Sequence, residues 1–305
     1  MSFPALVAAQ GFNDYMTRAL ELNIQPNAPA PGQSFIASLG LVDNGAEITW
    51  FINNEEMAQY QNQRKIDLVA PDSGETQTIR VETTNPAGLQ NSVSKQISPL
   101  YLDIIIEPQT YVPDFYQGRS VPSIRSQVNA TALIDNKEVA TTDLIYRWEI
   151  DGEVLQGGSV RGQNRVSFEM PLISRPGLSL QVTDLQGNLV ASKFMYVQSV
   201  RPEVLFYNKS ILYGISFRPF TEQVDLFGQT NLIEAVPYYL DSRVYNSPDL
   251  IEWKLGPSVY QNLSGNPYEI TLESSGQPGV VELEFHARSL EVNIQRVRDS
   301  IDIRI

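Results

Sequence analysis

The chain has 305 residues, 42% of them hydrophobic, and carries 35 acids against 22 bases for a net charge of −13. That balance excludes nucleic acid and anionic lipid as electrostatic partners, because both are held by Lys and Arg. With no Cys and one His the chain lacks the side chains of a zinc centre, and no run approaches the roughly 20 apolar residues of a membrane-spanning helix.

In chain order the first segment is 1–16. Met1 to Gln10 includes Val7-Ala8-Ala9, small residues of the kind found at a signal-peptide cleavage site. The stretch has no basic start and its apolar part is short. Two readings stand: the remnant of a secretory signal whose start lies upstream, or an apolar chain end. Phe12 to Leu22 suits a short helix or a first strand, and the Pro-rich Gln25 to Gly32 breaks an edge strand ahead of the second.

The first domain, 17–99, centres on Ile48-Thr-Trp50-Phe-Ile52-Asn53-Asn54. Alternating runs Ile66-Asp-Leu68 and Ile79-Arg-Val81 follow, and the set closes in Asn85-Pro-Ala-Gly88. The second domain, 100–200, repeats this order with Tyr146-Arg-Trp148-Glu-Ile150-Asp151-Gly152, Val166-Ser-Phe168, Leu178-Ser-Leu180 and Asp184-Leu-Gln-Gly187. The third, 201–305, has Ile251-Glu-Trp253-Lys-Leu255-Gly256, Tyr268-Glu-Ile270 and Val281-Glu-Leu283-Glu-Phe285, without the closing Asn/Asp-x-x-Gly. Trp50, Trp148 and Trp253 are the three Trp residues of the chain, 98 and 105 positions apart, a repeat the size of one small domain.

Runs that alternate with period two are strands with one buried and one wet face. Many short strands between Gly, Pro, Asn and Asp predict an all-β chain of three tandem antiparallel sandwiches, with each Trp as structural core between two sheets. The pattern resembles the immunoglobulin-like superfold, and most nearly the polycystic-kidney-disease (PKD) type repeats of bacterial surface and secreted proteins. The resemblance rests on Trp148, Ile150, Asp151, Gly152, Asp184 and Gly187, and on Trp50, Ile52, Asn53, Asn85 and Gly88. It implies an immunoglobulin-like fold and an extracytoplasmic setting, and it assigns no catalytic residue.

Boundaries fall near Pro99 and Arg201-Pro202. Strands Leu102 to Glu107 and Glu203 to Tyr207 follow at once, and junctions this short predict a semi-rigid rod. The last residues, Ile301-Asp-Ile303-Arg-Ile305, continue a strand pattern and leave no tail for an anchor.

Residues able to carry chemistry are few. His286 alternates outward between Glu284 and Arg288, as a surface strand residue. Loop acids Asp135, Asp143 and Asp184 are of the type that binds calcium, yet no calcium-loop motif is present and turn capping explains them. We therefore expect no cofactor. Gly157-Gly158-Ser-Val-Arg-Gly162 opens no helix and suits a hairpin loop, not a phosphate cradle. No spacing of acids points to a glycosidase pair.

Two aromatic groups offer a binding surface: Tyr101, Tyr111, Phe115 and Tyr116 in one, Tyr213 and Tyr239 with Phe206, Tyr207, Phe217, Phe220 and Tyr238 in the other. Such rings stack on sugars or anchor a protein partner. Each group also opens a domain, where packing against the neighbouring domain competes for the same rings. The function expected is non-catalytic: a structural or adhesive module, secreted or at a cell surface, that binds a protein or itself through edge strands. The alternative is polysaccharide binding on an aromatic face.

Overall fold

The computed structural model describes residues 20–135, 140–221, 223–226, 230–260, 265–273, 278–290 and 295–304. The expected signal remnant at 1–16 lies outside the described residues.

The first sandwich uses β1 (Leu22–Gln25), β2 (Ser34–Leu39), β3 (Glu47–Ile52), β4 (Glu55–Glu56), β5 (Lys65–Val69), β6 (Gln77–Thr84) and β7 (Gln90–Ile97). One sheet has the order β1-β2-β5 and the other β4-β3-β6-β7. Their inner faces meet over Trp50, which is fully buried among Ile24, Phe35, Ile66, Ile79 and Val81. The alternation in the sequence is the direct cause: Ile48, Trp50 and Ile52 point inward from one strand, Ile66 and Leu68 from the facing sheet.

The second sandwich repeats that order. It is built from β8 (Tyr101–Pro108), β9 (Gln127–Asp135), β10 (Ile145–Ile150), β11 (Glu153–Arg161), β12 (Arg165–Glu169), β13 (Gly177–Thr183) and β14 (Leu189–Tyr196), paired as β12-β9-β8 and β11-β10-β13-β14. Trp148 is again fully buried. The expected hairpin loop at Gly157 to Gly162 is instead mostly strand, β11, whose pairing with β10 shifts register between Arg147 and Glu149. Glycines inside a strand often mark such an irregularity.

The third sandwich adds strands to the same plan. Its elements are β15 (Glu203–Ser210), β16 (Gly214–Pro219), β17 (Gln223–Asp225), β18 (Thr230–Tyr238), α1 (Ser242–Asn246), β19 (Leu250–Leu255), β20 (Ser258–Tyr260), β21 (Glu269–Glu273), β22 (Val280–Arg288) and β23 (Arg296–Arg304). The sheets are β16-β15-β18-β21 and β17-β23-β22-β19-β20, with β17 parallel to β23. Trp253 packs edge-on against Phe285, ring centroids 4.7 Å apart. Three sandwiches of shared strand order make the chain a tandem immunoglobulin-like protein.

The repeated motifs now have physical causes. Ile52 pairs with Glu55 and Ile150 with Glu153, so Asn53-Asn54 and Asp151-Gly152 are two-residue hairpin turns. All four residues have positive φ, the requirement of the turn that matches strand twist. The Asn53 and Asp151 carboxyl-type oxygens also accept from the Thr78 and Gly177 amides at 2.8 Å, pinning each turn to the next strand. Asn85 and Asp184 each accept two amides of their own loop.

By compactness the chain divides at Leu100 and Tyr101, leaving the first sandwich as one unit and the second and third together as the other.

Candidate functional site

Within the unit 101–305 the burial pattern of β18 departs from alternation. Its last four residues, Ala235 to Tyr238, are all buried. Ala235 faces the third core, and Val236 and Tyr238 face outward into a second cluster with Tyr207. What covers that outer face is the segment after β8, in the second sandwich. The Tyr111 amide donates to the Leu240 carbonyl at 2.7 Å, the Tyr239 amide to the Tyr111 carbonyl at 2.8 Å, and the Ser242 amide to the Gln109 carbonyl at 2.9 Å.

Side chains complete this joint. Tyr111 stacks on Tyr245 at 3.5 Å between centroids, Phe115 meets Tyr207 edge-on at 5.5 Å, and Tyr116 meets Tyr238 edge-on at 5.4 Å. The Tyr116 and Tyr239 hydroxyls share a hydrogen bond of 2.7 Å, as do those of Tyr207 and Tyr238. Burial, with the bond to Tyr116, pushes the Tyr239 phenol up to about 12. Of the aromatic residues singled out in the sequence, Tyr111, Phe115, Tyr116 and Tyr239 are thus packed in this joint.

A polar cluster stands beside the rings. The Asp241 side chain is wholly buried and accepts from the Gln127 amide at 2.8 Å, and from the Arg243 amide, Nε and Nη2 at 2.8 to 2.9 Å. Burial pushes its carboxyl up, but Arg243 and the two amides outweigh burial and hold it below the ordinary value. Gln295, also fully buried, accepts the Asp241 amide at 2.9 Å and donates to Ser123 Oγ and the Ile124 carbonyl. Neither Asp241 nor Gln295 belongs to a recognisable pattern. A lone polar residue at a strand end looks the same in sequence whether it ends up wet or buried.

Tyr213 lies elsewhere. It sits in the tight connection between β15 and β16, where Ile211 is 95% exposed, Leu212 84% and Tyr213 89%, with Phe217 82% exposed on β16. The Ser210 hydroxyl accepts from the Leu212 and Tyr213 amides at 3.2 and 3.3 Å, and Gly214 closes the turn at φ +74°. A well-formed turn thus holds three consecutive apolar side chains in water. The signal was present in sequence, since a hairpin turn is normally polar.

Two of the loop acids considered for chemistry have partners, and Asp135 is exposed at the end of β9. Asp143 pairs with Arg161 at 2.5 Å, and Asp184 caps its loop. His286 is half-buried on β22, and burial, then Arg288 and Arg298, hold its imidazole below the ordinary value. Among the described residues no three His, Cys, Asp or Glu gather as metal ligands, and no helix is long and apolar enough to cross a membrane.

No family model matches this chain, and no curated protein matches it. Solved structures do share features with it. The three N-terminal domains of the bacteriophage RB49 Highly Immunogenic Outer Capsid protein align at 11% identity over 94% of this chain and 98% of that one, with a TM-score of 0.27. Fibronectin(III)-like modules of Clostridium thermocellum CbhA align at 9% identity over 59% and 94%, with a TM-score of 0.28. SGBP-B of a Bacteroides ovatus mixed-linkage glucan utilization locus, in complex with a mixed-linkage heptasaccharide, aligns at 14% identity over 99% and 71%, with a TM-score of 0.22. At such scores the architecture rests on this chain's own sheets.

Proposed function

We propose that this chain acts by binding and not by catalysis, as a structural or adhesive protein outside the cytoplasm, with the β15–β16 turn as its docking element for a protein partner. One observation carries the reading: Ile211, Leu212, Tyr213 and Phe217 stand almost fully in water on a hydrogen-bonded hairpin. Folding alone gains nothing from that arrangement. Burying four such side chains at an interface would contribute roughly 1.5–3 kcal/mol each before the costs of association. A narrow tip with one ring and two aliphatic chains suits an apolar pocket or groove on the partner. The turn-forming Asn53 and Asp151 and the Asn85 and Asp184 loops are compatible with PKD-type repeats, and the setting we propose from that resemblance is a bacterial cell surface or an envelope- or pilus-associated assembly. The edge strands β7 and β14, each paired along one side only, offer their other side for self-association by strand addition.

The test is photo-crosslinking in envelope extract of the source organism, with the probe at position 213 and, as control, at position 41 on the first sandwich. A single partner should crosslink from 213 and not from 41. The triple variant Ile211→Ser, Leu212→Ser, Tyr213→Ser should abolish its capture. Capture unchanged by the triple variant would overturn the assignment.

A further inference from the structure

The sandwich core of the third domain stops short at one end, and what replaces it is polar. Along β15 the positions in the inward phase are Val204 and Phe206, both buried, and then Asn208, exposed where the core ends. Along β18 the inward positions are Ala235 and Ile233, both buried, and then Asn231. Asn208 is paired with Ile233, so the two carboxamides lie diagonally across neighbouring strands, in the phase that elsewhere carries the apolar core. They line a cavity of about 160 Å³, together with Phe220, Gln223, Val224, Asp225, Leu226 and Ile233.

The composition of the walls narrows what fits. The two carboxamides, of Asn208 and Asn231, each offer a carbonyl acceptor and two N–H donors, the complement of hydroxyl groups, which donate and accept at once. Gln223 alternates outward from Val224, and its Oε1 accepts from Arg304 Nη2 at 3.0 Å, so it contributes to the wall as backbone. Asn231 Nδ2 is buried and, among the described residues, meets no acceptor. A donor left so is costly unless a ligand or water completes it. Phe220, Leu226, Val224 and Ile233 supply an apolar surface for C–H groups. Asp225, outward like Gln223, pairs with Arg304 at 3.5 Å, so among the described residues the inward wall carries no charged side chain and favours a neutral ligand. The volume is below the roughly 300–1,000 Å³ of sites for drug-sized ligands and cofactors.

We infer that this cavity is a binding site for a single neutral sugar ring, held by Asn208 and Asn231 with Phe220 as an apolar wall. The site is separate from the β15–β16 tip, and the inference does not depend on the docking role of that tip.

The experiment is a titration of the full ¹⁵N-labelled chain with methyl glycosides of glucose, galactose, mannose and N-acetylglucosamine, with inorganic phosphate as the charged control. At least one glycoside should shift the amides of 208, 223–225 and 231 saturably, and phosphate should not. Asn231→Leu should weaken that binding at least about tenfold without lowering the melting temperature, since it removes an unpaired donor at nearly constant shape. Asn208→Ala, at an exposed position, should weaken binding likewise and covers the case in which the first variant fails to fold. The inference is overturned if no glycoside gives saturable shifts, if the shifts centre on Tyr213 and Phe217, if phosphate displaces the sugar, or if both variants bind as the parent does. The last two outcomes leave the docking role untouched, because its readout is crosslinking from position 213.

Discussion

Three tryptophans hold the same place in three sandwiches, yet their indole nitrogens fare differently. Trp50 Nε1 donates to the Gln63 carbonyl at 2.8 Å and Trp253 Nε1 to the Pro267 carbonyl at 3.1 Å, each carbonyl three residues ahead of an inward Ile. Trp148 Nε1 is buried and, among the described residues, has no acceptor. Replacement by Phe keeps much of the ring contact and removes the N–H. At Trp50 and Trp253 it also strands a carbonyl, so we expect Trp50→Phe and Trp253→Phe to cost about 1–2 kcal/mol more than Trp148→Phe. Urea unfolding of the three variants measures the difference, and equal costs would refute it. The Trp positions themselves were legible because period-two alternation surrounds them. The fate of each N–H was not, because it depends on a carbonyl supplied by the facing sheet.

Turns and loops are where sequence and element correspond most directly. Asn85 in the first sandwich and Asp184 in the second use one side-chain oxygen to accept two loop amides, at 2.8 to 3.0 Å. Asn85→Ala should therefore cost ~1–2 kcal/mol from two lost bonds, and Asn85→Asp should restore most of it, since the second copy already uses Asp. Chemical denaturation of the two variants checks both halves. The β15–β16 tip is an element of the opposite kind. Its apolar residues touch little of the fold, so the Ser substitutions at 211, 212 and 213 should leave stability within about 0.5 kcal/mol while removing partner capture. The same runs of residues that announced strands gave no warning of β16 and β17. Both are short additions at sheet edges, and their placement is set by the strands they join.

At the scale of the whole chain, the relevant number is two compact units and not three. The second and third sandwiches share backbone hydrogen bonds, an aromatic cluster and the buried Asp241–Gln295 network, so they should unfold as one. Calorimetry of the full chain should resolve one transition for the first sandwich and one for 101–305. Gln295→Ala, which leaves the Asp241 amide and Ser123 without their partner, should broaden or split the second. The network also sets a pH dependence. Because the folded Asp241 carboxyl sits below its ordinary 3.8, its stabilisation is complete above that value and is lost as pH falls through the lower folded one. The second transition should thus drop more steeply below about pH 4 in the parent than in Asp241→Asn. Parallel slopes would show that other carboxylates dominate.

The sequence by itself determined the class of fold, the number of sandwiches, the inward position of each Trp and the turn chemistry of Asn53, Asp151, Asn85 and Asp184. These follow from local rules, namely alternation, positive φ and side-chain to backbone bonds within a few residues. Only the tertiary structure decided that Tyr111, Phe115, Tyr116 and Tyr239 pack in a joint while Tyr213 stands in water, that Asp241 and Gln295 are buried, and that Asn208 and Asn231 line the open end of a core. Those outcomes depend on which distant strand arrives opposite each residue. An aromatic or polar side chain carries no local mark of what will cover it.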